Sequence, residues 1–138
     1  MTIKRDMEID CPNCGTSNLI LVWDTINAQV SPEAKTGLLR GEINVFRCRL
    51  CEEMITIDKP LLYNDMESKF MVWYFPFAWV ENGRILDAVT PDGQTKGTEY
   101  FPEIDLSGRI HHVFDMNELV RYIRFRDVLA EEVRHAAG

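Results

Sequence analysis

Two short cysteine motifs decide how this chain folds: Cys11-Pro12-Asn13-Cys14-Gly15 and Cys48-Arg49-Leu50-Cys51-Glu52. They use all four cysteines of the protein. A Cys-x-x-Cys motif bends the chain into a hook that points both sulfur atoms at one centre, and two hooks supply the four thiolates of one tetrahedral metal site, most often zinc. The sequence therefore predicts a closed structural zinc site with four ligands: Cys11, Cys14, Cys48 and Cys51.

Three other uses of the cysteines stay open. A rubredoxin-like iron centre also takes two such hooks, although Glu52 stands where a second glycine is usual. A reactive pair would make the protein a thiol redox sensor, but a catalytic Cys-x-x-Cys motif usually stands alone at a helix N-terminus. Two disulfides would require an oxidising compartment.

The segment between the hooks, from Gly15 to Arg47, has 33 residues, more than the roughly 15–20 of a compact zinc ribbon. A folded insert is expected, because long structureless loops are uncommon in small domains. Ser31 can cap a helix, and Pro32 and Glu33 suit its first turn. The insert is therefore predicted to hold a short helix that ends at Gly41.

Apolar runs predict strands at residues 18–23, 43–47, 54–58, 70–75, 84–89 and 109–114. Residues 90–93 have the composition of a turn, and residues 94–101 are expected to be irregular and exposed. Asp115 and Glu118 have the spacing of a capping box at the start of a C-terminal helix. The apolar stripe of this helix changes phase near residues 124–126, which predicts a kink or a break there.

These elements predict an α+β protein of one domain over residues 1–138. A zinc-ribbon-like antiparallel part with the inserted helix is expected over residues 8–60, an antiparallel sheet over 61–114, and one or two helices over 115–136.

The formal net charge is −7, and a zinc ion bound by four thiolates would add two further negative charges. This charge disfavours non-specific binding to nucleic acids and anionic membranes. The N-terminus lacks the apolar core of a signal peptide, and no run approaches the ~18 apolar residues of a membrane span. A cytoplasmic protein is predicted, which suits reduced thiols.

Further candidate sites each have a plain structural interpretation. Tyr63 and Asp65 lie on one side of a predicted strand and could bind a ligand, but a core ring and a turn-capping carboxylate are favoured. His111 and His112 with Asp115 could begin a second metal site, but adjacent residues of a strand point to opposite faces.

The aromatic stretch of residues 73–79 is predicted to be mostly core, with Trp73, Phe75 and Phe77 on one side of a strand; any exposed side would be a protein-binding patch. Arg47 and Arg49 flank the second hook, where they can offset the charge of the metal site or contact phosphate. The first role is favoured because the whole protein is acidic.

The chain resembles the CpXC domain family, named for paired Cys-Pro-x-Cys motifs, from about residue 8 to residue 124. The resemblance rests on the hooks, their spacing and these positions: Trp23, Ile26, Asn27, Pro32, Gly41, Phe46, Leu62, Tyr63, Asp65, Arg109, Ile110 and Leu119. Arg49 stands where the family motif has proline, but ligation needs only the sulfurs. The resemblance implies a bacterial or archaeal protein with a metal-binding module, and it implies no substrate.

No phosphate-binding glycine loop, nucleophile elbow or His-Glu-x-x-His motif occurs in the sequence, so an enzyme is disfavoured. The leading hypothesis is a cytoplasmic protein-interaction or regulatory module whose fold is fixed by zinc. The alternatives are a nucleic-acid-binding, transcription-associated zinc ribbon that uses Arg47 and Arg49, and a thiol redox sensor.

Overall fold

The computed structural model describes residues 2–93, 96 and 110–137. In chain order its elements are β1 (Ile3–Asp10), β2 (Ser17–Asn27), α1 (Pro32–Leu39), β3 (Val45–Arg47), β4 (Met54–Thr56), β5 (Leu61–Asp65), β6 (Phe70–Tyr74), α2 (Phe77–Glu81), a 3₁₀ turn (Arg84–Asp87), β7 (Ile110–Val113) and α3 (Met116–Ala137). The predicted α+β class is confirmed.

Five strands form one mixed sheet in the order β1-β2-β5-β6-β7, and β3 pairs with β4 in a separate hairpin. The expectation of an antiparallel sheet is wrong for two pairings, because β2 is parallel to β5 and β6 is parallel to β7. Parallel neighbours need a long connection. Helix α1 and the β3–β4 hairpin supply it between β2 and β5.

Of the six strands predicted from apolar runs, five overlap β2, β3, β4, β6 and β7, and the strand predicted to hold Tyr63 and Asp65 is β5. Strand β1 was not predicted, because its sequence is rich in charged residues and most of its side chains are exposed. It pairs with β2 along its length and covers only one edge of that strand. Strand β5, in contrast, is buried at all five positions.

The strand predicted at residues 84–89 is wrong. Gly83 takes a left-handed conformation (φ +76°) after α2, and the chain then forms the 3₁₀ turn. Local hydrogen bonds hold this turn, including one from Val89 N–H to the Ile85 carbonyl at 2.9 Å. The predicted turn at residues 90–93 is confirmed, whereas residues 94–101 lie outside the described part of the chain, apart from Lys96.

Helix α1 begins and ends where the sequence predicts, and Gly41 after it has φ +74°. Ser31 was expected to cap the helix with its side chain, but its hydroxyl makes no capping hydrogen bond. The Ser31 hydroxyl instead donates to Thr2 Oγ1 at 3.1 Å. The Ser31 carbonyl accepts the N–H of Ala34 at 3.0 Å and so still begins the helix.

Helix α3 runs without a break, so the break predicted as one of two alternatives near residues 124–126 is wrong. Its start is as expected, with Asp115 Oδ1 accepting the N–H of Asn117 at 2.7 Å. Leu119 and Ile123 are fully buried, together with Ala34 and Leu38 of α1 in one hydrophobic core. No helix of the described residues is long and apolar enough to cross a membrane.

Candidate metal centre

The two cysteine hooks form the turns of two β-hairpins. Residues 11–16 join β1 to β2, and residues 48–53 join β3 to β4. The last strand pairs before the turns are Asp10 with Ser17 and Arg47 with Met54. Each turn therefore has the same length and begins with a buried cysteine.

The backbone of the two hooks is hydrogen-bonded in the same way. Gly15 N–H donates to the Cys11 carbonyl at 2.7 Å, and Glu52 N–H donates to the Cys48 carbonyl at 3.0 Å. Both donors have a left-handed backbone, with φ +78° at Gly15 and +63° at Glu52. The second hook therefore keeps the geometry of the first without a glycine, at the cost of some backbone strain.

The four sulfur atoms lie within 4.8 Å of one another. Two pairs join one hook to the other, Cys11 with Cys51 and Cys14 with Cys48, both at 3.6 Å. Tetrahedral zinc with bonds of about 2.3 Å separates its sulfur ligands by about 3.8 Å. The structure thus brings the four predicted residues together as a set that could hold one metal ion, and this is the single such cluster among the described residues.

The surroundings of the thiols already favour ionisation at two positions. Hydrogen bonds from the backbone N–H groups of Cys51 and Leu50 lower the pKa of Cys48 to about 6. The hydroxyl of Thr16 lowers the pKa of Cys14. At Cys11 the N–H of Cys14 acts in the same direction, but loss of water contact and the neighbouring thiols raise its pKa to about 11. Four clustered thiols resist joint ionisation until a cation neutralises them.

Asn18, the second residue of β2, connects the two hooks. Its Oδ1 accepts the backbone N–H of Arg49 at 2.9 Å. Its Nδ2 donates to the Thr16 carbonyl at 3.0 Å and lies 3.6 Å from Cys48 Sγ. Because the side chain is buried, its hydrogen bonds hold the two hooks next to each other. No sequence pattern marks this role, since the residue is just the polar first position of a predicted strand.

Asn44 attaches the second hairpin to the main sheet. Its Oδ1 accepts the Trp23 N–H at 2.8 Å, and its Nδ2 donates to the Trp23 carbonyl at 3.0 Å. The carboxamide therefore replaces a neighbouring strand at this point of β2. Asn44 is buried and has φ +55°, a conformation that asparagine tolerates better than most residues.

The two arginines of the second hook contact the protein backbone. Arg49 Nε donates to the Ser17 carbonyl at 2.9 Å, and Arg47 Nη1 donates to the Glu52 carbonyl at 3.4 Å. Arg49 therefore adds a second link between the second hook and the start of β2.

Tyr63 and Asp65 take the structural roles that the sequence favours. The Tyr63 ring belongs to the hydrophobic core, and burial raises the pKa of its hydroxyl. Asp65 Oδ1 accepts Gln29 Nε2 at 2.8 Å and the N–H of Ser68 at 2.9 Å. The carboxylate thus holds the turn between β5 and β6.

His111 and His112 point to opposite faces of β7, as expected. The His111 ring stacks on Tyr122 at 4.2 Å, whereas the His112 ring lies 6.1 Å from Phe75. Burial lowers the pKa of His112. The two rings do not come together with Asp115 as a metal-ligand set.

The aromatic stretch is mostly packed. Tyr74 and Phe75 are buried, and Phe75 contacts both Trp73 and Trp79 with ring centroids 5.3 and 5.8 Å away. The strand alternation predicted to reach Phe77 is wrong, because β6 ends at Tyr74 and Phe77 begins α2, where it is 56% exposed.

Comparison with known proteins agrees with the cysteine geometry. A family model described as CpXC protein matches residues 9–131, close to the range over which the sequence resembles that family. No curated protein and no solved structure matches the chain. The match covers most of the chain and includes both hooks, so the protein belongs to the CpXC family.

Proposed function

We propose that Cys11, Cys14, Cys48 and Cys51 bind one Zn²⁺ ion as a structural site, and that the protein is a cytoplasmic protein-interaction or regulatory module. The observation that carries the zinc proposal is the four sulfur atoms within 4.8 Å of one another. They come from two matched hairpin turns held by the same backbone hydrogen bonds. Thiolates of this number and spacing suit zinc.

A module without chemistry of its own is favoured because four protein ligands leave zinc no position for a substrate. Around the hooks the surface also carries apolar side chains, with Leu19 72%, Leu50 68% and Met54 54% exposed. Exposed apolar residues near a rigid metal site are suited to contact with another protein. A nucleic-acid interface is less favoured, since the Arg49 side chain donates to the backbone carbonyl of Ser17, at the start of β2.

Metal analysis of the purified protein, with a Cys11→Ser variant, tests the zinc proposal. The protein is expected to contain one zinc ion per chain, and the variant to lose zinc and unfold at lower denaturant concentration. Leu50→Ser is the matched control, because it places serine in a hook at an exposed position and removes no ligand. Metal-free protein whose stability is unchanged by Cys11→Ser would refute the proposal.

Affinity capture from an extract of the native host tests the interaction module. The tagged, zinc-loaded protein is used with and without nuclease, beside a double variant Leu19→Ser/Leu50→Ser. A discrete partner that survives nuclease and is lost with the double variant is expected. A partner that disappears after nuclease treatment, or that binds the double variant equally well, would contradict the proposed surface.

A further inference from the structure

Helix α3 carries a second apolar stripe that lies outside the core. Leu119 and Ile123 face the sheet and are fully buried. Further along the same helix four apolar side chains are exposed by 43–68%: Phe125, Val128, Leu129 and Val133. We call this set the α3 stripe.

The exposure of the α3 stripe follows from the continuity of the helix. A helix turns by roughly 100° per residue, so within one continuous helix the phase change near residue 124 moves the apolar side chains to another side of the helix. Phe125 and Val128 then lie on the side away from Ile123. The C-terminal half of α3 is held to the body through neighbouring positions, with Lys35 Nζ 2.9 Å from Asp127 Oδ1 and Arg126 Nη2 3.2 Å from the Ser68 carbonyl.

Charges flank the α3 stripe in a pattern that is complementary to itself. Arg124 and Glu131 are seven residues apart, so they lie along the same flank of the stripe, Arg124 toward its N-terminal end and Glu131 toward its C-terminal end. Within the described part of the chain, neither of these two side chains forms an ion pair. Arg124 makes only a long hydrogen bond of 3.5 Å to the Leu39 carbonyl.

We propose that the α3 stripe is the interface of a homodimer in which two copies of α3 pack antiparallel. A crossing point near Val128 brings Arg124 of one copy beside Glu131 of a second copy, and the arrangement repeats by symmetry. Parallel packing would instead keep Arg124 and Glu131 of the second copy about 10 Å apart along the helix axis. The charge pattern therefore selects a second copy as the occupant and antiparallel as its orientation.

The α3 stripe is distant in sequence from the cysteine hooks, and we expect the dimer to form whether or not the cysteines bind a metal. Roughly 13 residues of helix are about 20 Å long, which is a small interface. A dimer that dissociates in the micromolar range or above is expected, because small interfaces give weak association.

Sedimentation equilibrium of the zinc-loaded, full-length protein over a wide concentration range tests the dimer. The wild type is expected to change from monomer to dimer, and Val128→Glu to weaken association by at least about tenfold. Leu86→Glu is the control, since Leu86 is also exposed but lies in the 3₁₀ turn and in neither proposed interface. A monomer at every concentration, or a dimer weakened equally by both variants, would overturn the proposal.

A charge exchange tests the orientation. Arg124→Glu and Glu131→Arg are each expected to weaken the dimer several-fold, and the double variant to restore it, because the ion pairs re-form with reversed sign. A double variant weaker than either single variant would overturn the antiparallel arrangement. Zinc content and helical circular dichroism should be equal in all variants, which separates failure of the dimer from failure of the metal site.

Discussion

The side-chain oxygen of Asn18 accepts the backbone N–H of Arg49 at 2.9 Å, so a strand residue of the first hairpin fixes the second cysteine hook. The same carboxamide lies 3.6 Å from Cys48 Sγ. The proposed metal site is therefore expected to depend on a side chain that is not one of its four cysteines.

Replacing Asn18 should weaken zinc binding. Asn18→Ala is expected to lower zinc affinity about 10- to 100-fold, as loss of an outer-shell partner does at other metal sites. Asn18→Asp should lower it further, because a carboxylate would lie beside the Cys48 thiolate. Competition with a chelator measures both, and Asn13→Ala, at an exposed hook position, is the control. Equal affinities for all four proteins would show that Asn18 does not support the site.

Adding a glycine to the second hook and removing the glycine of the first hook should change the stability of the protein in opposite directions. Glu52→Gly should stabilise the protein by about 0.5–1 kcal/mol, because it relieves a left-handed conformation at φ +63°. Gly15→Ala should destabilise it by about 1 kcal/mol, although a Cβ there meets no neighbour within 4 Å. Denaturant unfolding of the zinc-loaded variants measures both changes, and a destabilising Glu52→Gly would contradict the matched geometry of the hooks.

Asn44 should contribute more to the free energy of unfolding than an exposed asparagine does. Asn44→Ala leaves the buried N–H and carbonyl of Trp23 without their partners, which is expected to cost about 2–3 kcal/mol. Asn82→Ala is the control, because Asn82 is exposed and accepts one hydrogen bond, from Arg84 N–H. Its free energy of unfolding should change by less than about 0.5 kcal/mol. Equal effects of the two substitutions would argue against Asn44 as the attachment point.

Zinc affinity should rise with pH. A thiol must lose its proton to bind zinc, and the pKa of Cys11 is raised to about 11, so binding at neutral pH must displace this proton. The pKa of Cys48 is lowered to about 6. Below about pH 6 the proton of Cys48 also competes with zinc, so the slope of log affinity against pH should become steeper. Chelator competition across this range measures the slope, and an affinity independent of pH would exclude thiolate ligation.

The cysteine set and helix α1 could be predicted because their signals are local. Cys-x-x-Cys spacing defines a hook, and Pro32 and Gly41 bound a helix through their own backbone preferences. The parallel pairing of β2 with β5 could not be predicted in this way, because it depends on where the intervening hairpin places the chain.

Asn18 and Asn44 were missed for a related reason. Each is a single buried asparagine that bonds to the other hairpin through a partner 21 to 31 residues away in the sequence, so no local spacing marks this role. The error in α3 is different. The apolar stripe does change phase, but a continuous helix with a second apolar face produces the same sequence pattern as two helices separated by a break.

X-ray absorption spectroscopy at the zinc edge of the purified protein tests the central claim most directly. One zinc ion per chain with four sulfur neighbours at about 2.3 Å is expected. Zinc with nitrogen or oxygen in place of one or more sulfurs, or protein that holds no zinc, would contradict the assignment of all four cysteines to one structural site.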